Sequence, residues 1–140
     1  MDEALAQLTR EWLTKASHDL LTARIVANAP DGPLDTAIYH CHQAAEKSLK
    51  GWLTANNIAF EKTHDIRRLI RQAMDVLPEF IRFTGPAEFL TPYVSAFRYP
   101  GLTDQLMPTR EEFDEALQYA QAIYDFVLNL LPAEGRPYKV

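Results

Sequence analysis

Cysteine, glycine and long apolar runs are all scarce in these 140 residues. A single cysteine, Cys41, can close no internal disulfide and build no cysteine-based zinc site, so stability has to come from burial. No window of about 18 apolar residues is present, and the amino end, MDEALAQLTREW, is acidic where a secretory leader would be basic and then apolar. These absences predict a cytoplasmic chain with no membrane partner. None of the five glycines forms a phosphate-cradling loop, and no stretch alternates with the two-residue period of a half-buried strand. The length suits one domain over residues 1–140.

The net charge of -5 argues against a protein that coats nucleic acid over its whole surface. Its distribution is uneven. Residues 43–72 carry six bases against three acids, whereas residues 104–134 carry one base against seven acids. Such polarity suits steering of a phosphate-bearing ligand or an oppositely charged partner; solvated helix faces produce the same pattern.

What the chain does have is helical period. Leu5, Leu8, Trp12, Ala16, Leu20, Ala23 and Ala27 recur at steps of three and four, predicting a first helix from about Glu3 to Ala27. The cluster Asn28-Ala29-Pro30-Asp31-Gly32-Pro33 then makes a loop. In a second helix, Leu34, Ile38, Cys41, Ala45, Leu49 and Trp52 share a stripe at about 100° per residue. Ala37, Ala44, Ser48 and Gly51 form a small-residue band beside it that lets another helix approach closely. This leaves Tyr39, His40, Gln43, Glu46, Lys47 and Lys50 on a solvated face, with His42 at its boundary. His40 and His42 diverge by about 160°, which keeps both from one metal, and no third ligand stands nearby in sequence. No metal and no cofactor are therefore expected.

Further on, Thr63 is placed to cap a third helix that has Asp65 in its first turn, followed by Ile66, Leu69, Ile70, Ala73 and Met74. Pro78, Gly85 and Pro86 break up the next stretch. Thr91-Pro92 reads as a cap and first turn of a short helix through Phe97, ended at Arg98-Tyr99-Pro100-Gly101. Thr109-Arg110-Glu111-Glu112 is a capping box opening the last helix, whose stripe is Phe113, Ala116, Leu117, Ala120, Tyr124, Val127 and Leu131. The fold class is all-α, an antiparallel up-down bundle of four to five helices.

The order of signals resembles the HEPN family, the higher eukaryotes and prokaryotes nucleotide-binding domains. An early helix with Trp12, Ala16, Asp19 and Leu20 precedes HQAAEKSLKGWL (His42 to Leu53), THDIRRLI (Thr63 to Ile70), FRYPG (Phe97 to Gly101) and a long final helix. The resemblance implies a small helical bundle that is often a homodimer and is commonly paired with a minimal nucleotidyltransferase in a toxin-antitoxin type system. Many members are metal-independent ribonucleases that pair an Arg with a His four to six residues further on, near the start of the last helix. That pair is missing here. The histidines are His18, His40, His42 and His64, none at that spacing after an arginine, and none follows residue 64.

The chain thus resembles the branch that carries RYP in place of the histidine motif. The resemblance implies a module engaging nucleotide or RNA without strong catalysis of its own, with Arg98 for a phosphate or a partner carboxylate and Tyr99 for a base or a neighbouring helix. An Arg capping carbonyls at a helix end beside a packed Tyr fits the same residues. Lys47 and Lys50 are candidates for phosphate contacts, and His42 for a nucleotide or partner contact. The alternative is a metal-independent ribonuclease with an atypical site around Arg98, to which folding brings His42 or His64. A third reading is an assembly domain whose acidic last helix docks a basic partner.

Overall fold

Asp2 opens the first helix because its carboxylate accepts from the Leu5 amide at 2.8 Å, filling one of the donors a helix start leaves unpaired. The computed structural model describes residues 1–138. Helix α1 runs Glu3–Asn28, α2 Leu34–Ala55, α3 Ile66–Val76, α4 Thr84–Leu90 and α5 Arg110–Leu130. Short 3₁₀ segments cover Pro78–Phe83, Thr91–Val94 and Ala133–Gly135. Every regular element among the described residues is helical, as the periodicity predicts.

Side-chain partners fix the helix directions. Along α2, His40 meets Asp19 of α1 and Gly51 meets Leu13, so numbers rise on one helix as they fall on the other. Along α5, Arg110 donates to the Ala27 carbonyl and Gln121 pairs with Arg24, the same inverse order. Both α2 and α5 are therefore antiparallel to α1. The segment from α3 to the Thr91–Val94 turn carries the chain back between them. The core centres on Phe80, fully buried against Trp52 at 4.7 Å and Phe126 at 5.0 Å between ring centroids. Each such side chain contributes about 1.5–3 kcal/mol of burial energy.

Several expected details differ. The buried stripe of α1 begins one position off, at Ala6, Thr9 and Leu13, and leaves Leu8 exposed. At that seam Leu13 packs directly on Gly51 of α2, where an added Cβ would stand 2.3 Å from Leu13 Cδ2. Asp65, not Thr63, caps α3, accepting from the Arg67 amide at 3.0 Å, while Thr63 Oγ1 accepts from the Asp65 amide. The Gly85-Pro86 pair does not break the chain but sits in the first turn of α4, where a proline's missing N–H costs nothing. Thr91 is no cap: its hydroxyl donates back to Ala87, and the turn it begins ends at Val94 rather than Phe97. The capping box at Thr109 and Glu112 forms as read, with both reciprocal bonds present.

The largest departure concerns α2. Instead of one solvated face, it is enclosed on nearly all sides by α1, α3, α5 and the Thr91–Val94 turn, and His42, Glu46 and Lys50 are buried. The expected charge polarity is also muted. Lys47, Lys50, Arg67 and Arg68 are each ion-paired with a neighbouring carboxylate.

Candidate functional site

Charged groups on a buried helix need partners, and α2 finds them in two clusters. In the first, Glu46 Oε1 stands 2.9 Å from Nδ1 of His64 and Oε2 accepts from Lys50 Nζ at 3.0 Å. Lys50 Nζ also lies over the Trp12 and Phe60 rings, at 5.8 and 5.7 Å from their centroids. His42 Nε2 is 3.0 Å from the His64 carbonyl oxygen, which only accepts, so this nitrogen carries the proton. His42 Nδ1 is 3.0 Å from Gln43 Oε1, and a neutral ring accepts there once the Gln43 amide is turned to present its Nε2. Burial pulls the His42 imidazole below its usual range, against the opposing pull of Glu46. This cluster latches the segment before α3 onto the core, and only His64 among its members is exposed.

In the second cluster Asp19, a carboxylate within the buried face of α1, bridges two residues of α2. Its Oδ1 is 2.7 Å from His40 Nδ1 and its Oδ2 accepts from Lys47 Nζ at 2.7 Å. His40 is followed outward by an open groove of about 320 Å³ lined by Asp35, Thr36, Tyr39, His40, Phe97 and Arg98. The Arg98 guanidinium lies over the Tyr39 ring at 4.4 Å and reaches Tyr99 at 5.5 Å. One of its nitrogens donates to the Val94 carbonyl at 3.3 Å. Of the two roles the sequence leaves open for Arg98, helix-end capping is thus present, and four guanidinium N–H groups remain for a ligand. Tyr99 is exposed beside a second hollow of about 380 Å³ formed by Asp35 and the loop 96–107.

Folding therefore sorts the candidates. Arg98 and Tyr99 lie together, with Lys47 linked to the groove through Asp19 and His40. His42 and Lys50 are enclosed and do not line the groove, and His64 belongs to the Glu46 cluster. Sequence reasoning passed over Asp19, Tyr39 and Phe97 as groups for a site and assigned His40 only to a wet surface. One signal for Asp19 was present: a carboxylate within an apolar stripe, between Ala16 and Ala23, calls for a donor on the facing helix. Among the described residues no group of three or more His, Cys, Asp or Glu side chains converges as a metal cage would require.

Among the described residues, five helices with the buried, ion-paired α2 at their centre define a small all-helical domain. A family model for the HEPN domain matches residues 9–130, and the chain belongs to that family. The fold is shared with the crystal structure of TT1696 from Thermus thermophilus, at 31% identity and a TM-score of 0.76, over 88% of this chain and 98% of that one. It is shared also with the crystal structure of ST0689, an archaeal HEPN homologue, at 25% identity and a TM-score of 0.71, over 87% and 96% of the two chains. No curated protein sequence matches.

Proposed function

We propose that this HEPN domain is a binding module that engages a nucleotide or RNA in the groove between Tyr39, His40, Phe97 and Arg98. The observation that carries this reading is the Arg98 guanidinium held over the Tyr39 ring at 4.4 Å. Stacking pre-orients a planar fork of donors suited to phosphate oxygens, and the exposed Tyr99 ring beside it suits a base. The family relationship supports a wider context in which the module forms a homodimer and works beside a minimal nucleotidyltransferase of a toxin-antitoxin type system. Fluorescence anisotropy with a labelled single-stranded RNA tests the binding. Saturable binding that Arg98→Ala weakens about tenfold or more supports the reading, given the worth of a charge-assisted pair. Absence of binding to RNA and to nucleotides overturns it.

A second reading, a metal-independent ribonuclease around Arg98, is favoured by His40, which stands in the same groove with its ring fixed by a carboxylate. The roles first given to His42 and His64 pass in this reading to His40. RNA cleavage in the presence of a chelator, lost in Arg98→Ala and His40→Ala, would establish it. Equal residual rates in all three proteins would remove it.

A further inference from the structure

The basic segment uses most of its charge in internal ion pairs, but the acidic last helix does not. Among the described residues Asp114 is the one carboxylate of α5 held in an ion pair, by Arg110 at 3.1 Å. Asp125 accepts from Gln121 on the side of α5 that meets α1, and Glu112 is taken up by the capping box and by the Tyr93 hydroxyl at 2.9 Å. Glu111 and Glu115, one turn apart and exposed, are left without a cation.

Beside that ridge runs a row of half-buried rings. Phe89, Tyr93 and Phe97, four residues apart along α4 and the turn after it, have centroids 5.6 and 5.9 Å apart, and Tyr119 of α5 joins the row at 5.4 Å from Phe89. The row is tied to the acids, since Tyr93 donates to Glu112 and Glu115 stands beside the Tyr119 hydroxyl. Aromatic faces attract cations and anchor protein interfaces, while carboxylates at their edge repel phosphates. Such a face disfavours a nucleic-acid backbone and favours guanidinium or ammonium groups. The ring spacing selects how those groups are carried. Residues at i, i+4 and i+8 of a helix stand about 5–6 Å apart, which is the interval of the rings. Same-face residues of an extended strand stand about 6.6–6.8 Å apart and fall out of step by the third ring.

We propose that the rings of Phe89, Tyr93 and Tyr119, with Glu111 and Glu115 along their edge, form a docking surface for a basic helix of a partner protein, whose arginines one turn apart lie over the rings and pair with the acids. The surface is separate from the groove except at Phe97, which ends the row and also lines the groove. The proposal does not depend on what the groove binds.

The probe is a labelled helical peptide of alanine and glutamine with arginines at i, i+4 and i+8, followed by fluorescence anisotropy against the full chain in about 0.15 M salt, where charges are screened beyond about 8 Å. One counterpart has the same arginines spread around the helix, and another has citrulline in their place. Both are expected to bind about tenfold more weakly or worse, the loss of two or three exposed cation–ring contacts. Glu115→Lys should weaken the aligned peptide about tenfold, and Phe89→Leu, which keeps an apolar group but no ring face, by about twofold to fivefold. Asp125→Lys makes the same charge change ten residues further along α5, about 15 Å away and nearly two screening lengths off, and should leave affinity within about twofold. Arg98→Ala should leave it unchanged as well. Thermal melts of each variant identify loss of fold, and the peptide counterparts test the claim without any mutation. Equal affinity for the three peptides, equal losses in Glu115→Lys and Asp125→Lys, or no binding of the aligned peptide would overturn the proposal. So would binding of single-stranded RNA that is lost in Phe89→Leu and kept in Arg98→Ala, which would make the face a nucleic-acid surface.

Discussion

Asp19 of α1 and His40 of α2 face each other at 2.7 Å between the two helices, and Lys47 completes the bridge from the same carboxylate. Asp19 is 7% exposed, so its two oxygens depend on these partners rather than on water. Asp19→Ala removes the bridge and leaves Lys47 Nζ and His40 Nδ1 without their acceptor. Both partners retain some access to solvent, which puts the expected loss at about 1–3 kcal/mol, below that of a fully enclosed pair. Urea unfolding followed by helical circular dichroism measures it. A change under a few tenths of a kcal/mol would show that the bridge contributes nothing to the fold.

Helices α1, α2, α3 and α5, the bundle class and the capping box were legible in sequence because each rests on spacing within a single element. By contrast, α4 was read as a broken stretch, and the helix expected from Thr91 to Phe97 is a 3₁₀ turn ending at Val94. The side of α2 that faces water was not legible either. Glu46 and Lys50 form an acid-first pair four residues apart, the usual mark of a solvated helix face, yet Trp12, Phe60 and His64 cover them. Those covering residues lie on α1 and on the segment before α3, beyond the reach of local periodicity. His40 was misplaced for the same reason, since the residue that orients it stands 21 positions earlier. Arg98 was legible as a site residue only through motif order, and its platform, Tyr39, comes from a helix 59 positions upstream in the chain.

Gly51 is required by that close helix approach. A Cβ there would meet Leu13 Cδ2 at 2.3 Å and Trp12 Cβ at 3.1 Å, and Leu13 is fully buried with little room to turn. Overpacking costs about 1–3 kcal/mol. Alanine's better helix propensity returns up to about 1 kcal/mol of it. Gly51→Ala is therefore expected to be net destabilising by about 1–2 kcal/mol, and Gly51→Val by more. Combining Gly51→Ala with Leu13→Ala should cost less than the sum of the two, because the second change makes the space the first one lacks. Strict additivity in denaturant midpoints would contradict this geometry.

His42 gives stability a pH dependence of known sign. Burial holds its folded-state ionisation below the ordinary value of 6.5, so the unfolded chain binds the proton more readily. The contribution is fully present above 6.5 and is lost progressively as pH falls below it, through the folded-state value. Denaturant midpoints should therefore rise from pH 5.5 to 7.5, and His42→Gln should flatten that rise. An equal slope in the variant would assign the pH dependence to other groups.

Cys41 reports on opening of the same helix. Its side chain is inaccessible, and burial pushes the thiol up to about 12, with Arg24 opposing. At pH 8 this leaves about one native molecule in ten thousand as thiolate, and the sulfur is out of a reagent's reach besides. Modification by a disulfide reagent must then proceed through molecules in which α1 and α2 have separated, at a rate set by the open population. Gly51→Ala, which loosens that contact, should speed the reaction by about fivefold to thirtyfold if the full 1–2 kcal/mol falls on opening. Fast labelling of the native protein, at a rate indifferent to Gly51→Ala and with helicity unchanged, would mean that a reagent reaches Cys41 without separating the two helices.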